Sequence, residues 1–241
     1  LRLLETDNDK ETEQQDAVQC GTITKIERQK RVKDRYNLYI DDQYAFSVHE
    51  DVLIKHRLVK GAEIGVEHFR AIAQAQERQQ AYVDAIRLLS FRLRSEYELK
   101  ARLKEKGYDP QVAAETLERL RREQYVDDSQ FAEQLAMQRI RSQKKGRNWV
   151  RQELQHKGLQ PEHIAQALEQ VDEETEYRYA FELAFKKYRS DFAEDPLKGR
   201  RKAAGFLMRR GYSSRIATRV IRELGQAYGE LDLEEADYEF E

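Results

Sequence analysis

Apolar residues recur through the later part of the chain in a pattern that occurs three times. Leu103-x-x-x-Gly107, Leu154-x-x-x-Gly158 and Leu207-x-x-x-Gly211 each open a new apolar-periodic stretch, and the glycines stand 51 and 53 residues apart. Six residues beyond each glycine come Ala113, Ile164 and Ala217, ten beyond come Leu117, Leu168 and Ile221, and thirteen beyond come Leu120, Val171 and Leu224. Spacings of three and four put these positions on one helical face. A period of this length predicts a row of similar helical units with an extended surface, rather than one pocket around one active site.

Local chemistry marks the unit boundaries. Ser95-Glu96-Tyr97-Glu98 is a capping box, in which the Ser95 hydroxyl accepts from the Glu98 amide while the Glu98 carboxylate reaches back. The helix it starts is expected to end at Gly107, and the next to begin with Asp109 as N-cap and Pro110 in the first turn. Gly158, Gln160 and Pro161 copy this arrangement, and Gly211, Ser213 and Ser214 keep the short turn without proline. In Tyr125-Val126-Asp127-Asp128-Ser129-Gln130-Phe131-Ala132 the adjacent aspartates read as caps rather than metal or acid/base residues. Asp127 is the N-cap, and Val126 and Phe131 form a hydrophobic staple. Each unit thus has three helices, the first of the second unit running from about Asp128 to Ser142.

The preceding segment has a different period. Thr22–Ile26 alternates, and Tyr36–Ile40 and Tyr44–Val48 flank Asp41-Asp42-Gln43 as a hairpin. Val52 to Val59 reads as a short helix closed at Lys60-Gly61, and Val66 to about Arg78 as a polar connecting helix. The expected architecture is mainly α, with tandem three-helix repeats forming an elongated curved array after a small β-rich N-terminal module. Its divisions are a disordered acidic tail over 1–16, the β-rich module over 17–65, a linking helix over 66–80, repeats over 81–127, 128–172 and 173–227, and an acidic tail over 228–241.

Charge changes this picture by making the units unequal. The formal net charge of -2 conceals -4 over residues 1–16 and -7 over residues 228–241, which leaves +9 for the body between them. A basic body suits a polyanion or an acidic protein surface, although acidic ends can also serve solubility alone. Arg139, Arg141, Lys144, Lys145, Arg147 and Arg151 form a run without an acid, with Trp149 inside it. Bases so placed can neutralise phosphates. Trp149 itself reads as a core or inter-repeat anchor in preference to a base-stacking residue. From Lys198 to Arg222 stand nine bases and no acid: Lys198, Arg200, Arg201, Lys202, Arg209, Arg210, Arg215, Arg219 and Arg222. A solvated helix ordinarily mixes signs, so a binding face is the better explanation, the alternative being a face neutralised internally by the acidic C-terminal tail.

Several classes are disfavoured. There is no phosphate-binding loop, dinucleotide fingerprint or nucleophile elbow. His49, His56, His68, His156 and His163 lack metal-ligand spacing, and one cysteine, Cys20, allows no internal disulfide. The expectation is a protein without catalytic residues, metal or cofactor, cytoplasmic and monomeric, with no apolar run long enough for a membrane.

Three motifs then carry a resemblance: Arg92-x-Arg94-Ser95-x-x-Glu98-Leu99-x-x-x-Leu103-x-x-Lys106-Gly107, Tyr125-Val126-Asp127-Asp128-x-x-Phe131-Ala132, and Leu154-x-x-Lys157-Gly158. Together they resemble the RecX regulators of the bacterial RecA recombinase, over roughly residues 81 to 227. The resemblance implies a non-enzymatic modulator, mainly an inhibitor, that binds in the groove of the RecA–DNA filament. It would alter filament assembly, strand exchange and ATP hydrolysis, in DNA repair, recombination and the SOS response. Direct binding of single- or double-stranded DNA is also implied. Ser214 and Arg209-Arg210 depart from the other two repeats. The alternative is a sequence-independent DNA-binding protein acting by competition for DNA. A tetratricopeptide-type scaffold fits less well, because its period is about 34 residues.

Overall fold

The computed structural model describes residues 20–237, so the expectation of disorder over 1–16 lies outside the described residues. The chain divides into two compact units. Among the described residues, one holds the chain up to Phe91 together with Lys100–Arg122, the other Arg92–Leu99 and the chain from Glu123 onward.

In the first unit, β1 (Gly21–Arg28), β2 (Arg35–Ile40), β3 (Gln43–His49) and the short β4 (Glu63–Ile64) form an antiparallel sheet of order β3-β2-β1-β4. The β2–β3 connection is tight because Asp41 and Asp42 both take positive φ, 47° and 64°. That geometry matches the twist of paired strands, and aspartate tolerates it better than most residues. Helix α1 (Glu50–Lys55) starts at His49, whose ring nitrogen accepts from the Asp51 amide at 3.2 Å.

The expected helix end at Gly61 is corrected. Helix α1 closes earlier, with Arg57 at φ 49°, and the Leu58 amide reaches back to the Leu53 carbonyl at 3.0 Å. This is a Schellman cap with arginine in the left-handed position. It is held because Leu58 is buried in the core formed with Ile23, Leu38, Ile40, Val48, Val52, Ile64 and Ile72.

Nor does the polar helix stop near Arg78. Helix α2 runs unbroken over Val66–Phe91, since its sequence offers neither glycine nor proline to end it. Its early turns cover the sheet, with Phe69 edge-on to Phe46 at 5.3 Å. Its later turns pack against α4 (Pro110–Arg122).

Helix α3 (Glu96–Glu105) precedes α4. The second unit then contains α5 (Asp128–Met137), a π-helical turn (Gln138–Ser142), α6 (Arg147–His156), α7 (Pro161–Glu169), α8 (Glu173–Glu194), α9 (Pro196–Arg209) and α10 (Ser214–Asp237). Residues 128–142 are therefore helical as expected, with the last turn widened. Two cores follow from the repeat. One gathers Phe131, Ala132, Ala136, Ile140, Val150, Leu154, Leu159, Ile164, Ala167, Leu168 and Val171. The other gathers residues of α8, α9 and α10 around Phe192, Leu207, Tyr212 and Val220.

The repeated Leu-x-x-x-Gly pattern is a Schellman cap in all three places. Gly107, Gly158 and Gly211 have φ 88°, 75° and 87°. The following amide, of Tyr108, Leu159 or Tyr212, bonds the carbonyl of Leu103, Leu154 or Leu207 at 3.3, 3.3 and 3.1 Å. Those leucines are fully buried, which supplies the apolar contact that accompanies such caps.

Candidate nucleic-acid interface

The bases of the second repeat lie where α5 turns into α6, and the structure gives most of them internal partners. The Arg139 guanidinium makes a bidentate pair with Glu153, both bonds at 2.7 Å. Lys144 binds Glu182. Lys145 sits 4.0 Å from the Trp149 ring centroid, and burial together with the charge of Arg210 lowers its ammonium pKa. Arg147 pairs with the buried Glu176 at 3.2 Å and also donates to the Val171 carbonyl. The exposed Arg151 donates to the Asn148 side chain at 3.0 Å. Arg141 is exposed and has no carboxylate partner among the described residues.

The reason for this engagement is a junction between repeats. Gly146, the N-cap of α6, donates its amide to the Arg210 carbonyl at 2.9 Å, and the Asn148 amide donates to Gly211 at 3.0 Å. The Arg210 guanidinium reaches the Gln143 carbonyl at 2.5 Å, while the Tyr212 hydroxyl reaches that of Lys144 at 2.7 Å. Lys144 takes φ 50°, a strained state for a side chain with a Cβ, and its carbonyl is held by the Tyr212 hydroxyl and, at 3.4 Å, by Arg210 Nε. A Cβ on Gly146 would strike the Gly211 backbone, and one on Gly211 would strike Trp149. Trp149 also packs against the core of its own repeat, so it is an inter-repeat anchor.

The preceding junction uses the equivalent carbonyl, that of the residue before the capping glycine, with a different donor. The Ser95 hydroxyl donates to the Lys157 carbonyl at 2.7 Å and, as the capping box requires, accepts from the Glu98 amide at 3.2 Å. Glu98 receives Arg92 at 3.0 Å and Lys157 at 2.9 Å. Burial alone would raise its pKa, but the hydrogen bonds and charges of Arg92 and Lys157 outweigh it and hold the carboxyl at about 2. Tyr97 covers Gly158 as Trp149 covers Gly211.

Asp127 caps α5 by accepting from Ser129 and Gln130 at 2.8 and 3.0 Å. Asp128 caps a different helix, accepting from the Glu96 amide at 2.9 Å. Both aspartates are thus backbone acceptors. Among the described residues no group of three or more His, Cys, Asp or Glu could hold a metal ion, and no helix is long and apolar enough to cross a membrane.

The third repeat separates its bases into two sets. Arg215 lies 3.4 Å from Glu173, Arg219 binds Glu174 at 2.7 Å and stacks on the Tyr177 ring at 3.7 Å, and Lys202 binds Asp191. The acids missing from residues 198–222 are therefore supplied by α8. The other set stays open. Leu197, Lys198, Arg201, Met208 and Arg209 share the face of α9 opposite the buried Gly199, Ala203 and Leu207. Leu197 is 76% and Met208 51% exposed. Lys198, Arg201 and Arg209 have no carboxylate partner among the described residues, nor do Arg200 and Arg222. Arg200 lies over Gly225 of α10, where a Cβ would approach its guanidinium to 2.6 Å.

This architecture has relatives. Residues 21–65 match the regulatory protein RecX N-terminal domain. Residues 81–120, 127–168 and 174–221 match the first, second and third three-helix domains of RecX. The chain belongs to the RecX family. The regulatory protein RecX of Oceanobacillus iheyensis is 36% identical over 207 residues, covering 84% of this chain and 76% of that protein. That of Bacillus cytotoxicus is 34% identical over 222 residues, covering 90% and 82%. A crystal structure of regulatory protein RecX superposes with a TM-score of 0.72 at 34% identity, covering 84% of this chain and 98% of that one. RecX from Lactobacillus salivarius, 22% identical with a TM-score of 0.59 and covering 62% and 97%, shares the fold. The Oceanobacillus iheyensis and Bacillus cytotoxicus relatives are named as regulatory proteins, and the helical repeats and the N-terminal sheet described above are those of the family.

The sequence did not point to the bases of α8. Arg178, Lys186 and Arg189 are exposed there, but six acids on the same helix keep them from forming a one-sign run. The usable signal was the aromatic spacing Tyr177, Phe181, Phe185, which runs at four-residue intervals.

Proposed function

We propose that this chain modulates, mainly by inhibition, a RecA-type recombinase filament on DNA, using the open face of α9 as a contact. The observation that carries this is the combination of uncompensated charge and exposed apolar surface on one helix. Lys198, Arg201 and Arg209 flank Leu197 and Met208, with no acid on that face. Holding like charges together is unfavourable, and large exposed apolar groups beside them mark interaction surfaces. Membership of the family of regulatory proteins named RecX supports a recombinase as the partner. Of the remaining bases, Arg141, Arg200 and Arg222 extend the positive surface. Lys144, Arg147 and Arg210 act first in holding the second and third repeats together, and Arg139, Lys145, Lys202, Arg215 and Arg219 in holding helices or side chains within one repeat.

The structure changes which variants are informative. Reversing Arg210 would break the junction with the loop before α6, so loss of activity would say nothing about contact. Lys198→Glu, Arg201→Glu and Arg209→Glu together leave internal bonds intact. The expected result is a folded protein that no longer lowers the rate of recombinase strand exchange or its DNA-dependent ATP hydrolysis. Unchanged inhibition by the triple variant removes this face as the contact.

Competition for DNA by sequence-independent binding is the second reading, favoured by the same positive face. Each duplex phosphate neutralised contributes a slope of about -0.9 in log K against log salt. If inhibition follows DNA affinity down that slope and disappears when DNA is in excess, competition is the mechanism.

A further inference from the structure

We propose that α8 carries a base-stacking site for single-stranded nucleic acid, built on Phe185 and Phe181 and flanked by Arg178, Lys186 and Arg189. It deepens the filament reading and depends on it only for its setting.

The argument starts from an aromatic residue with no place in the core. Along α8 the third-repeat core takes Tyr177, Ala180, Ala184, Tyr188 and Phe192, with Phe181 packed against it from the side. Phe185 is outside that cluster and 40% exposed. Its aromatic neighbour is Phe181, with centroids 6.1 Å apart and planes 10° from parallel. Phe181 is in turn 6.1 Å from Tyr177 at 43°. The outer ring of the stack is thus partly open to solvent on α8.

Charge supplies the second observation. Arg178, Phe185 and Arg189 lie at intervals of seven and four, on one side of the helix. They span eleven residues, or about 16 Å of axis. Lys186 adjoins them. All three bases are exposed and have no carboxylate partner among the described residues. Asp191 is engaged by Lys202 and Glu174 by Arg219, while Glu182, paired with Lys144, stands four residues from both Arg178 and Lys186 and has its pKa lowered by Lys144 and then by their charges, so this side carries three bases to one acid. An exposed aromatic between cations is the arrangement that holds unpaired bases, with the ring taking the base and the cations the flanking phosphates. Duplex DNA offers no free base face to such a ring, so the site selects single strands.

The test uses the full chain with three probes: a fluorescent 20-residue oligo(dT), an abasic oligonucleotide of equal length, and duplex DNA. Stacking predicts that Phe185→Leu weakens oligo(dT) binding about tenfold while leaving abasic and duplex binding unchanged. Phe185→Trp should retain tight binding, and its added emission should be quenched by oligo(dT) and not by the abasic strand. Circular dichroism melting keeps folding in view, and the tryptophan variant preserves the aromatic contact if leucine does not. Wild-type oligo(dT) affinity in Phe185→Leu, an equal loss on the abasic strand, or an unquenched tryptophan overturns the site. Strand-exchange assays with the same proteins separate this from the filament reading. Inhibition without Phe185-dependent oligo(dT) binding removes the stacking site alone. Phe185-dependent binding without any effect on the recombinase removes the filament reading alone.

Discussion

The junction of the first repeat with the second and that of the second with the third place equivalent backbone carbonyls, of Lys157 and Arg210, against the start of a helix, yet they are built from different parts. At the first, the Ser95 side chain bridges to Lys157, because the Ser95 amide already faces the Glu98 carboxylate at 3.4 Å. At the second, Gly146 has no side chain, and its amide bonds Arg210 directly. The first junction is therefore polar and side-chain mediated, with a carboxylate between two cations. The second is backbone against backbone, with Trp149 and Tyr212 closing it. A repeat preserves the position of a contact more strictly than its chemistry.

The largest way to break the comparison is steric. Gly211→Ala adds a Cβ in a left-handed conformation and drives it into Trp149. The conformational cost is about 1–2 kcal/mol and the overpacking about 1–3 kcal/mol more. Gly107 has nearly the same φ, but nothing lies within 4 Å of where its Cβ would be, so Gly107→Ala should show only the conformational part. Urea unfolding of both variants measures the difference, and equal losses would mean that Gly211 is not held by a close junction.

Most of the fold was legible because its signals were local. Capping residues Ser95, Asp109 and Asp127 and the glycines of the caps state their roles within four residues of themselves. Arg57 shows where this fails: a left-handed arginine is unfavourable by itself and is chosen only because Leu58 must enter the core. The candidate surface was legible only in part. Runs of like charge such as 139–151 register composition, whereas pairing with Glu153, Glu176 or Glu182 depends on chain segments 14 to 38 residues away. The face of α9 survives as a candidate because no such partner among the described residues reaches Lys198, Arg201 or Arg209. Phe185 was missed because an aromatic at helical spacing looks the same in sequence whether the core accepts it or not.

The next effect distinguishes the junctions by pH. Glu98 is held at about 2 in the folded chain, against about 4.3 in an unfolded one. Its stabilisation is present above about pH 4.3 and is lost as pH falls towards 2. Glu176 behaves oppositely. Burial raises its pKa despite the Arg147 amide and guanidinium beside it, so its unfavourable contribution, present when both states are ionised, is relieved as pH falls through the folded value. Glu98→Gln should cost about 2 kcal/mol at pH 7, allowing for solvent screening of the two cations, and flatten the acid limb of stability. Glu176→Gln should leave that limb in place. If both variants give the same pH profile, the two carboxylates are not in the different environments described.

The smallest predicted change sharpens the contrast at a single atom. Ser95→Ala removes both the cap to the Glu98 amide and the bond to Lys157, and should cost about 1–2 kcal/mol. Ser95→Gly makes the first junction resemble the second at its cap residue. Glycine is nearly as good as serine at an N-cap, within a few tenths of a kcal/mol, so what remains of the loss is the bridge to Lys157. A glycine variant as unstable as the alanine variant would place the energy in the bridge, and one as stable as wild type would place it in the cap. The expected value lies between, because the Ser95 amide is held by Glu98 and cannot turn to replace the hydroxyl as the Gly146 amide does.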